Sequence, residues 1–311
     1  MMSSASETRS AEEGPRIVVF GEVLWDCYSD HETLGGAPLN FAVHAARLGC
    51  HPVLVSAVGE DSLGRAARTR IVELGVSDAF LDTTPLFATG RVSVEVDGRG
   101  QPAFTIHRPA AYDAVELSMT QLRELVTWRP AWLYYGTLSS MAQRPRRALM
   151  QLVEALPHAR RLYDVNLRQA SYTPELVSDL MARANAVKLN ADEMRTLASL
   201  YGLPSGGIEE FCRAGRARYG WDTVAVTMGE HGCGLWMNGQ YEEAAGYAVA
   251  VADTVGAGDA FASALVLGLS QGWPARRIGE FANKVGAIVA SRPGGTPDWT
   301  VGEALELESS P

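Results

Sequence analysis

Asp253-Thr254-Val255-Gly256-Ala257-Gly258-Asp259 runs directly into Ala260-Phe261-Ala262-Ser263-Ala264-Leu265-Val266-Leu267-Gly268-Leu269. A short polar, glycine-rich turn gives way at once to an apolar segment of small residues, which reads as a buried helix starting near Gly258. Gly256 and Gly258 free the backbone for positive φ and for close approach by another group. The N–H groups of Gly256, Ala257, Gly258 and Asp259 then point outward at a helix N-terminus, where the macrodipole favours negative charge. Such a turn is an anion site, yet Asp259, itself an anion, sits at its mouth. That placement makes sense if Asp259 is a base and the amides receive negative charge developing beside it.

Working outward, the chain alternates strand-like and helix-like segments. Ile17-Val18-Val19-Phe20 is a buried strand. Leu39–Leu48 fits a helix, with Pro38 in its first turn and Gly49 past its end. Pro52–Val58 is a strand, and the amphipathic Asp61–Leu74 stops at Gly75. Helix-like Leu117–Thr127, Arg144–Leu156, Pro174–Ala184, Asp192–Leu200 and Ile208–Tyr219 interleave with strands Ala131–Thr137, Arg161–Asn166, Ala186–Leu189 and Thr223–Thr227. Gly232–Trp236 and Gln240–Val249 read as short strands, and Pro274–Val289 as a last long helix. This rhythm predicts an α/β fold with a parallel sheet covered by helices on both faces. Thr89–His107 breaks it: Val92, Val94 and Val96 alternate with polar residues, and Asp97-Gly98 supplies a turn. It reads as a β-hairpin standing off the main sheet. The expectation is one domain over residues 16–311, with a lid built mainly from about 88–110 and part of 27–36.

Bulk numbers exclude several classes. With 27 Lys and Arg against 36 Asp and Glu, the net charge is -9. That balance argues against a nucleic-acid surface, which needs clustered cations. The four cysteines, Cys27, Cys50, Cys212 and Cys233, show no metal-ligand spacing and read as small hydrophobes in a reducing compartment. No apolar run approaches the ~20 residues that span a bilayer. Residues 1–15 lack the apolar core of a signal peptide and are expected to be a disordered tail. A cytoplasmic protein is expected. There is neither a G-x-x-x-x-G-K-[ST] loop nor a GxGxxG after the first strand, so a bound nucleotide would need another device.

In open α/β sheets, ligands bind beyond the C-terminal ends of the strands. Asp26, Asp164, Asn166, Asn190 and Gly229 all fall just after predicted strands. Near the start, Gly35-Gly36-Ala37-Pro38-Leu39-Asn40-Phe41-Ala42 brings paired glycines and an amide to a helix start. Asn190 and Glu193, three apart, share a face of a starting helix, and also fit a helix cap with its N3 carboxylate.

Together the Gly35–Gly49 stretch and the Asp253–Asp259 turn resemble the two signatures of the ribokinase-like (PfkB) family of sugar and nucleoside kinases. Within it, Gly21-Glu22-Val23-Leu24, Thr105-Ile106-His107 and Asp164-Val165-Asn166-Leu167-Arg168 look most like bacterial fructokinases. The resemblance runs from about Arg16 to Asp298. It implies a three-layer α/β/α sandwich with a small β-rich lid, acting as an ATP-dependent sugar kinase, most similar to enzymes that make fructose 6-phosphate. Asp259 is then the general base. Asp26, Gly35, Gly36, Asn40, Tyr112 (stacking on the sugar) and Arg168 bind substrate. Asn190, Thr227, Gly229, Gly232 and Asn283 bind nucleotide. Glu193 and Asn190 hold Mg²⁺ through water, and Asp253 with the Ser291–Gly295 loop holds a monovalent cation such as K⁺. A homodimer through paired lids is also implied. Arg91 and Arg108 put positive charge on the lid and leave open ribose, another ketose, a sugar acid or a nucleoside as substrate. A non-catalytic sugar- or nucleotide-binding regulator is the reading from another class, but such proteins lose the base or the anion turn, and this chain keeps both.

Overall fold

The computed structural model describes residues 14–96, 102–168 and 171–308. Most of the expected tail, and the Asp97-Gly98 turn, lie outside the described residues. In chain order the strands are β1 (Arg16–Phe20), β2 (Leu24–Cys27), β3 (Glu32–Gly35), β4 (His51–Gly59), β5 (Leu81–Thr84), β6 (Gly90–Val96), β7 (Pro102–His107), β8 (Trp132–Gly136), β9 (Arg160–Asp164), β10 (Ala186–Asn190), β11 (Thr223–Thr227), β12 (Cys233–Met237) and β13 (Gln240–Ala244). The helices are α1 (Ala37–Arg47), α2 (Ser62–Glu73), α3 (Met119–Trp128), α4 (Gln143–Ala155), α5 (Pro174–Arg183), α6 (Ala191–Tyr201), α7 (Ile208–Tyr219), α8 (Ala257–Ser270), α9 (Ala275–Ala290) and α10 (Val301–Glu306).

Nine strands form the main sheet in the order β13-β12-β11-β10-β9-β8-β1-β4-β5. From β11 to β5 every pairing is parallel, while β12 and β13 close one edge antiparallel. Period-two alternation explains why the strands read as unbroken apolar runs. Ile17 and Val19 of β1 face a core shared with α1, α8 and α9, while Val18 and Phe20 face a second core under α3–α7. The three-layer α/β/α arrangement is therefore as expected. In α8 the small Ala260, Ala262, Ser263 and Ala264 are completely buried, so this helix lies sunk in the first core rather than on a surface.

Caps fix where several helices begin. Asp61 accepts the Gly64 N–H at 2.7 Å to start α2, and Ser118 with Gln121 makes a capping box for α3. In the main sheet, two details differ from the reading of the sequence. The short edge strand β5 was not legible, because Leu81-Asp82-Thr83-Thr84 offers a single apolar residue. The ladder of β13 stops at Ala244 rather than continuing to Val249, because Asn283 of α9 donates to the Ala244 and Ala245 carbonyls at 3.0 and 2.9 Å. All four cysteines are unpaired, and three are buried.

A second, four-stranded sheet, β3-β2-β6-β7, stands apart from the first. Here β6 and β7 pair antiparallel, as the hairpin pattern requires, and β2 brings Asp26 alongside Val92 of β6. Asp26 therefore does not follow a main-sheet strand, as its spacing suggested. It lies within a strand of the small sheet, because the chain turns at Gly21–Val23 and starts a new strand. Leu24, Val92, Val94, Ala110, Tyr112 and Leu138 make the small core between this sheet and the body.

Candidate active site

The start of α8 is built around Gly256, whose φ is +80°. A Cβ there would lie 2.1 Å from the Gly295 carbonyl oxygen, so only glycine fits. Asp253 fastens the turn: one carboxylate oxygen accepts the Val255 N–H and the other the Gly294 N–H, each at 3.0 Å. The Ala257 N–H turns inward to the Thr254 carbonyl at 3.3 Å. The first helical turn leaves N–H groups without an intrahelical acceptor.

Asp259, 7% exposed, lies in this first turn. Asn40 of α1, 219 residues earlier, donates its amide to the Asp259 carboxylate at 2.9 Å. Burial, reinforced by Asp164, raises the Asp259 pKa to about 6, against the opposing pull of Lys188, Asn40 and Arg168.

Lys188 was not singled out by the sequence reading. It sits in β10, almost fully buried, with its ammonium 3.1 and 3.4 Å from the two oxygens of Asp164. Burial alone would lower its pKa, but Asp164, Glu193 and Asp259 outweigh that and hold it above the ordinary lysine value. A Cβ on Gly258 would come within 2.9 Å of this ammonium, which therefore lies directly beneath the first turn of α8. Tyr134 donates its hydroxyl to Asp164 at 3.2 Å. A lone cation in the middle of an apolar strand was the available signal.

At the other end of the site, a Cβ on Gly35 would lie 3.1 Å from Asp26 Oδ2 and 3.9 Å from Asn40 Oδ1. Asp26, Gly35 and Asn40 thus converge on one point, and they line a cleft of about 320 Å³ with Asp253, Gly294 and Gly295. Burial raises the Asp26 pKa to about 6, with Arg168 opposing and Asp253 reinforcing. Arg168 is exposed after β9. Tyr112, expected to stack on the sugar, is 0% exposed, its ring lying where a Cβ on Gly90 would be 2.7 Å from it. Arg108 is ion-paired to the buried Asp113 and donates to the Leu138 carbonyl at 3.0 Å. Arg91 pairs with Glu32 at 3.3 Å.

Thr227 ends β11, and Gly229 and Gly232 follow with φ of +58° and +92°. A Cβ on Gly232 would strike the Ala244 carbonyl oxygen at 2.0 Å, so this glycine is required by the approach of β13. Asn190 and Glu193 form a capping box at the start of α6. The two Glu193 oxygens accept the Leu167 and Asn190 N–H groups, each at 2.8 Å. This ties the segment after β9 to the start of α6. A carboxylate has about four lone-pair directions, so Glu193 keeps acceptor capacity for water bound to a cation. Among the described residues, no three His, Cys, Asp or Glu side chains are grouped to hold a metal by themselves. No helix among them is long and apolar enough to cross a membrane.

Comparison with known proteins gives the same direction. The chain is 28% identical to the fructokinase of Escherichia coli over 94% of its length and 99% of that protein. It is 29% identical to fructokinase-1 of Oryza sativa subsp. japonica over 89% of this chain and 88% of that one. Among solved structures, an uncharacterised sugar kinase from Pyrococcus horikoshii superposes with a TM-score of 0.80 at 25% identity, covering 94% of this chain and 97% of that chain. Fructokinase with bound ATP from Xylella fastidiosa gives a TM-score of 0.83 at 21% identity, covering 93% and 97%, a likeness of fold. The pattern of the pfkB family carbohydrate kinases matches residues 10–301, and the chain accordingly belongs to that family of sugar phosphotransferases.

Proposed function

We propose that this kinase transfers the γ-phosphate of ATP to the primary hydroxyl of D-fructose, giving fructose 6-phosphate, with Asp259 as general base. The observation that carries the reading is the buried Asp259 carboxylate, held by Asn40 at 2.9 Å at the mouth of the α8 turn. In the proposed step Asp259 accepts the hydroxyl proton while the oxygen attacks the γ-phosphorus and the bond to ADP breaks. General-base assistance is worth roughly 10²–10⁴ in rate. Most of the remaining catalysis is positioning and charge stabilisation, supplied here by the Gly256–Asp259 turn with the Lys188 ammonium beneath it. Asp26, Gly35, Gly36 and Asn40 orient the sugar, and Arg168 lies close enough to Asp26 and Asp259 to act on both carboxyls.

Thr227, Gly229, Gly232 and Asn283 form the nucleotide side. Mg²⁺, held through water by Glu193 and Asn190, would neutralise charge on the β- and γ-phosphates. Asp253, at the Ser291–Gly295 loop, is the position for K⁺. The β3-β2-β6-β7 sheet (residues from about 88–110 and 27–36) acts as the lid that excludes water from the transfer. The same sheet is the proposed seam of a homodimer in the cytoplasm.

Fructose is favoured over a sugar acid because both lid arginines that could meet an anion are neutralised within the chain: Arg108 by Asp113 and Arg91 by Glu32. The curated relatives at 28–29% identity point to the same sugar. An ADP-release assay over fructose, ribose, 2-keto-3-deoxygluconate, fructose 6-phosphate and nucleosides tests the reading. Fructose is expected to give the highest kcat/KM, and preference for any other acceptor overturns the assignment.

A further inference from the structure

Glu22 has no role in the chemistry described so far. It sits at the corner between β1 and β2, beyond the C-terminal end of a central strand, where ligands of parallel sheets bind. It is 5% exposed, and its Oε2 is buried without a hydrogen-bond partner. Folded proteins rarely keep such an atom unless something outside the chain satisfies it. Two further orphan oxygens are Asn40 Oδ1, on the wall of the cleft, and the Tyr112 hydroxyl, near enough to Glu22 for its charge to act on the phenol. Asn40 already faces the convergence point of Gly35 and Asp26. Tyr112 packs beside the chain that follows Glu22, since a Cβ on Gly90 would touch both the Tyr112 ring at 2.7 Å and the Val23 carbonyl at 2.8 Å.

Glu22 is tied to the cleft through Gly36, which adjoins the cleft-lining Gly35. A Cβ on Gly36 would lie 2.6 Å from the Glu22 carbonyl oxygen and 3.5 Å from its Cγ. Gly36 therefore packs directly on Glu22 and brings it next to the Gly35 and Asn40 end of the cleft. Burial raises the Glu22 pKa to about 7 despite its own backbone N–H, with Asp259 reinforcing the shift, and Arg168 and Arg108 opposing it. Near neutral pH this carboxyl can donate as well as accept a hydrogen bond.

We propose that Glu22 is a specificity-determining residue, its free carboxyl oxygen and the Tyr112 hydroxyl together receiving one sugar hydroxyl other than the one phosphorylated. The inference rests on the sugar-kinase reading above and adds a second set of substrate contacts to Asp26 and Asn40. A site built to hydrogen-bond a hydroxyl rejects the analogue that lacks it, because its own buried groups are then left unpaired.

The test crosses protein variants with substrate analogues: wild type, Glu22→Met, Glu22→Gln and Tyr112→Phe, each assayed with fructose and with 1-, 3- and 4-deoxyfructose. If the panel returns another sugar, that sugar's own deoxy series is used. Wild type is expected to penalise one analogue by at least about tenfold in kcat/KM. Glu22→Met should raise the KM of the parent sugar, leave the KM of ATP unchanged, and erase the penalty for that one analogue. Glu22→Gln, which can still donate and accept, should keep it. The inference is overturned if Glu22→Met retains the wild-type penalty, or if it depresses every sugar and ATP alike, as loss of packing would. Should Glu22→Met not fold, Tyr112→Phe is judged by the same criterion. A wild type that phosphorylates no sugar overturns the sugar-kinase reading instead, so the two failures are distinct.

Discussion

Asp259 and Asp26 lie on two sides of Asn40, which donates to the first at 2.9 Å and lines a cleft with the second, and burial displaces both carboxyls to about pH 6 from within different elements. Asp259 belongs to a helix sunk in the main core, and its position is set by a bond to Asn40, a backbone turn that admits only glycine, and a buried ion pair behind it. Asp26 belongs to a four-residue strand of the small sheet, and its shift, like that of Asp259, comes first from burial. One acid is fixed by a network inside the body. The other is carried on the separate small sheet with its own core. The difference fits the proposed roles: a proton acceptor must be held at one distance from the reacting oxygen, while a binding carboxylate tolerates a place on a separate small sheet.

The largest way to break this contrast is to neutralise both acids in turn. Asp259→Asn should lower kcat by about 10²–10⁴ while sugar KM moves little and thermal stability does not fall, since an amide oxygen still accepts from Asn40. Asp26→Asn should do the opposite, raising sugar KM with a much smaller change in kcat. Steady-state kinetics with a melting curve for each variant decides, and equal effects on kcat from both would dissolve the distinction.

The pH profile sharpens it further. Both acids must be ionised to work, so kcat/KM for the sugar should climb through about pH 6 with a limiting slope near two protons, and Asp26→Asn should reduce that slope to about one. Stability should move the other way. The folded pKa of Asp259 lies above the unfolded value of 3.8, so between these the folded state binds more protons. Its contribution then falls as pH rises from about 4 to about 6. Asp26 and Glu22 act with the same sign. Denaturation midpoints measured across this window should show Asp259→Asn flattening the decline, and an unchanged slope would refute the assignment of that shift.

The smallest effect belongs to the lid surface. Arg91 pairs with Glu32 at 3.3 Å with about half of its side chain exposed. Arg91→Ala should therefore change sugar KM by less than about fivefold, and a larger loss in the same assay would mean that this arginine meets the substrate.

Much of this architecture could be read from the chain, and the reasons are local. Ile17-Val18-Val19-Phe20 has to be buried on both faces, and Gly49, Gly75 and Pro38 punctuate their helices in the usual way. The glycine-led turn at Gly256 and the helix after it were legible from backbone chemistry, and Gly256 indeed has φ +80° at the start of α8. Features that depend on distant partners were less legible. Lys188 is one charge in an apolar strand, and only the fold reveals that Asp164 neutralises it beneath Gly258. Tyr112 was expected to stack on the sugar, yet it is 0% exposed with Gly90 packed against its ring. Glu22 entered only as part of the Gly21-Glu22-Val23-Leu24 stretch, and its orphan oxygen appears only in the folded chain.

The bond from Asn40 to Asp259 joins positions 219 apart in the chain, and it has a kinetic meaning. Closing so long a loop is costly before other contacts reward it. The βα units between them can pair with sequence neighbours first. Asp259 thus gains its partner only when α1 and α8 meet. A chain in which these two helices have not met would hold the α8 turn and the strand bearing Asp26 as separate pieces, so the proposed phosphoryl transfer depends on this long-range closure of the fold.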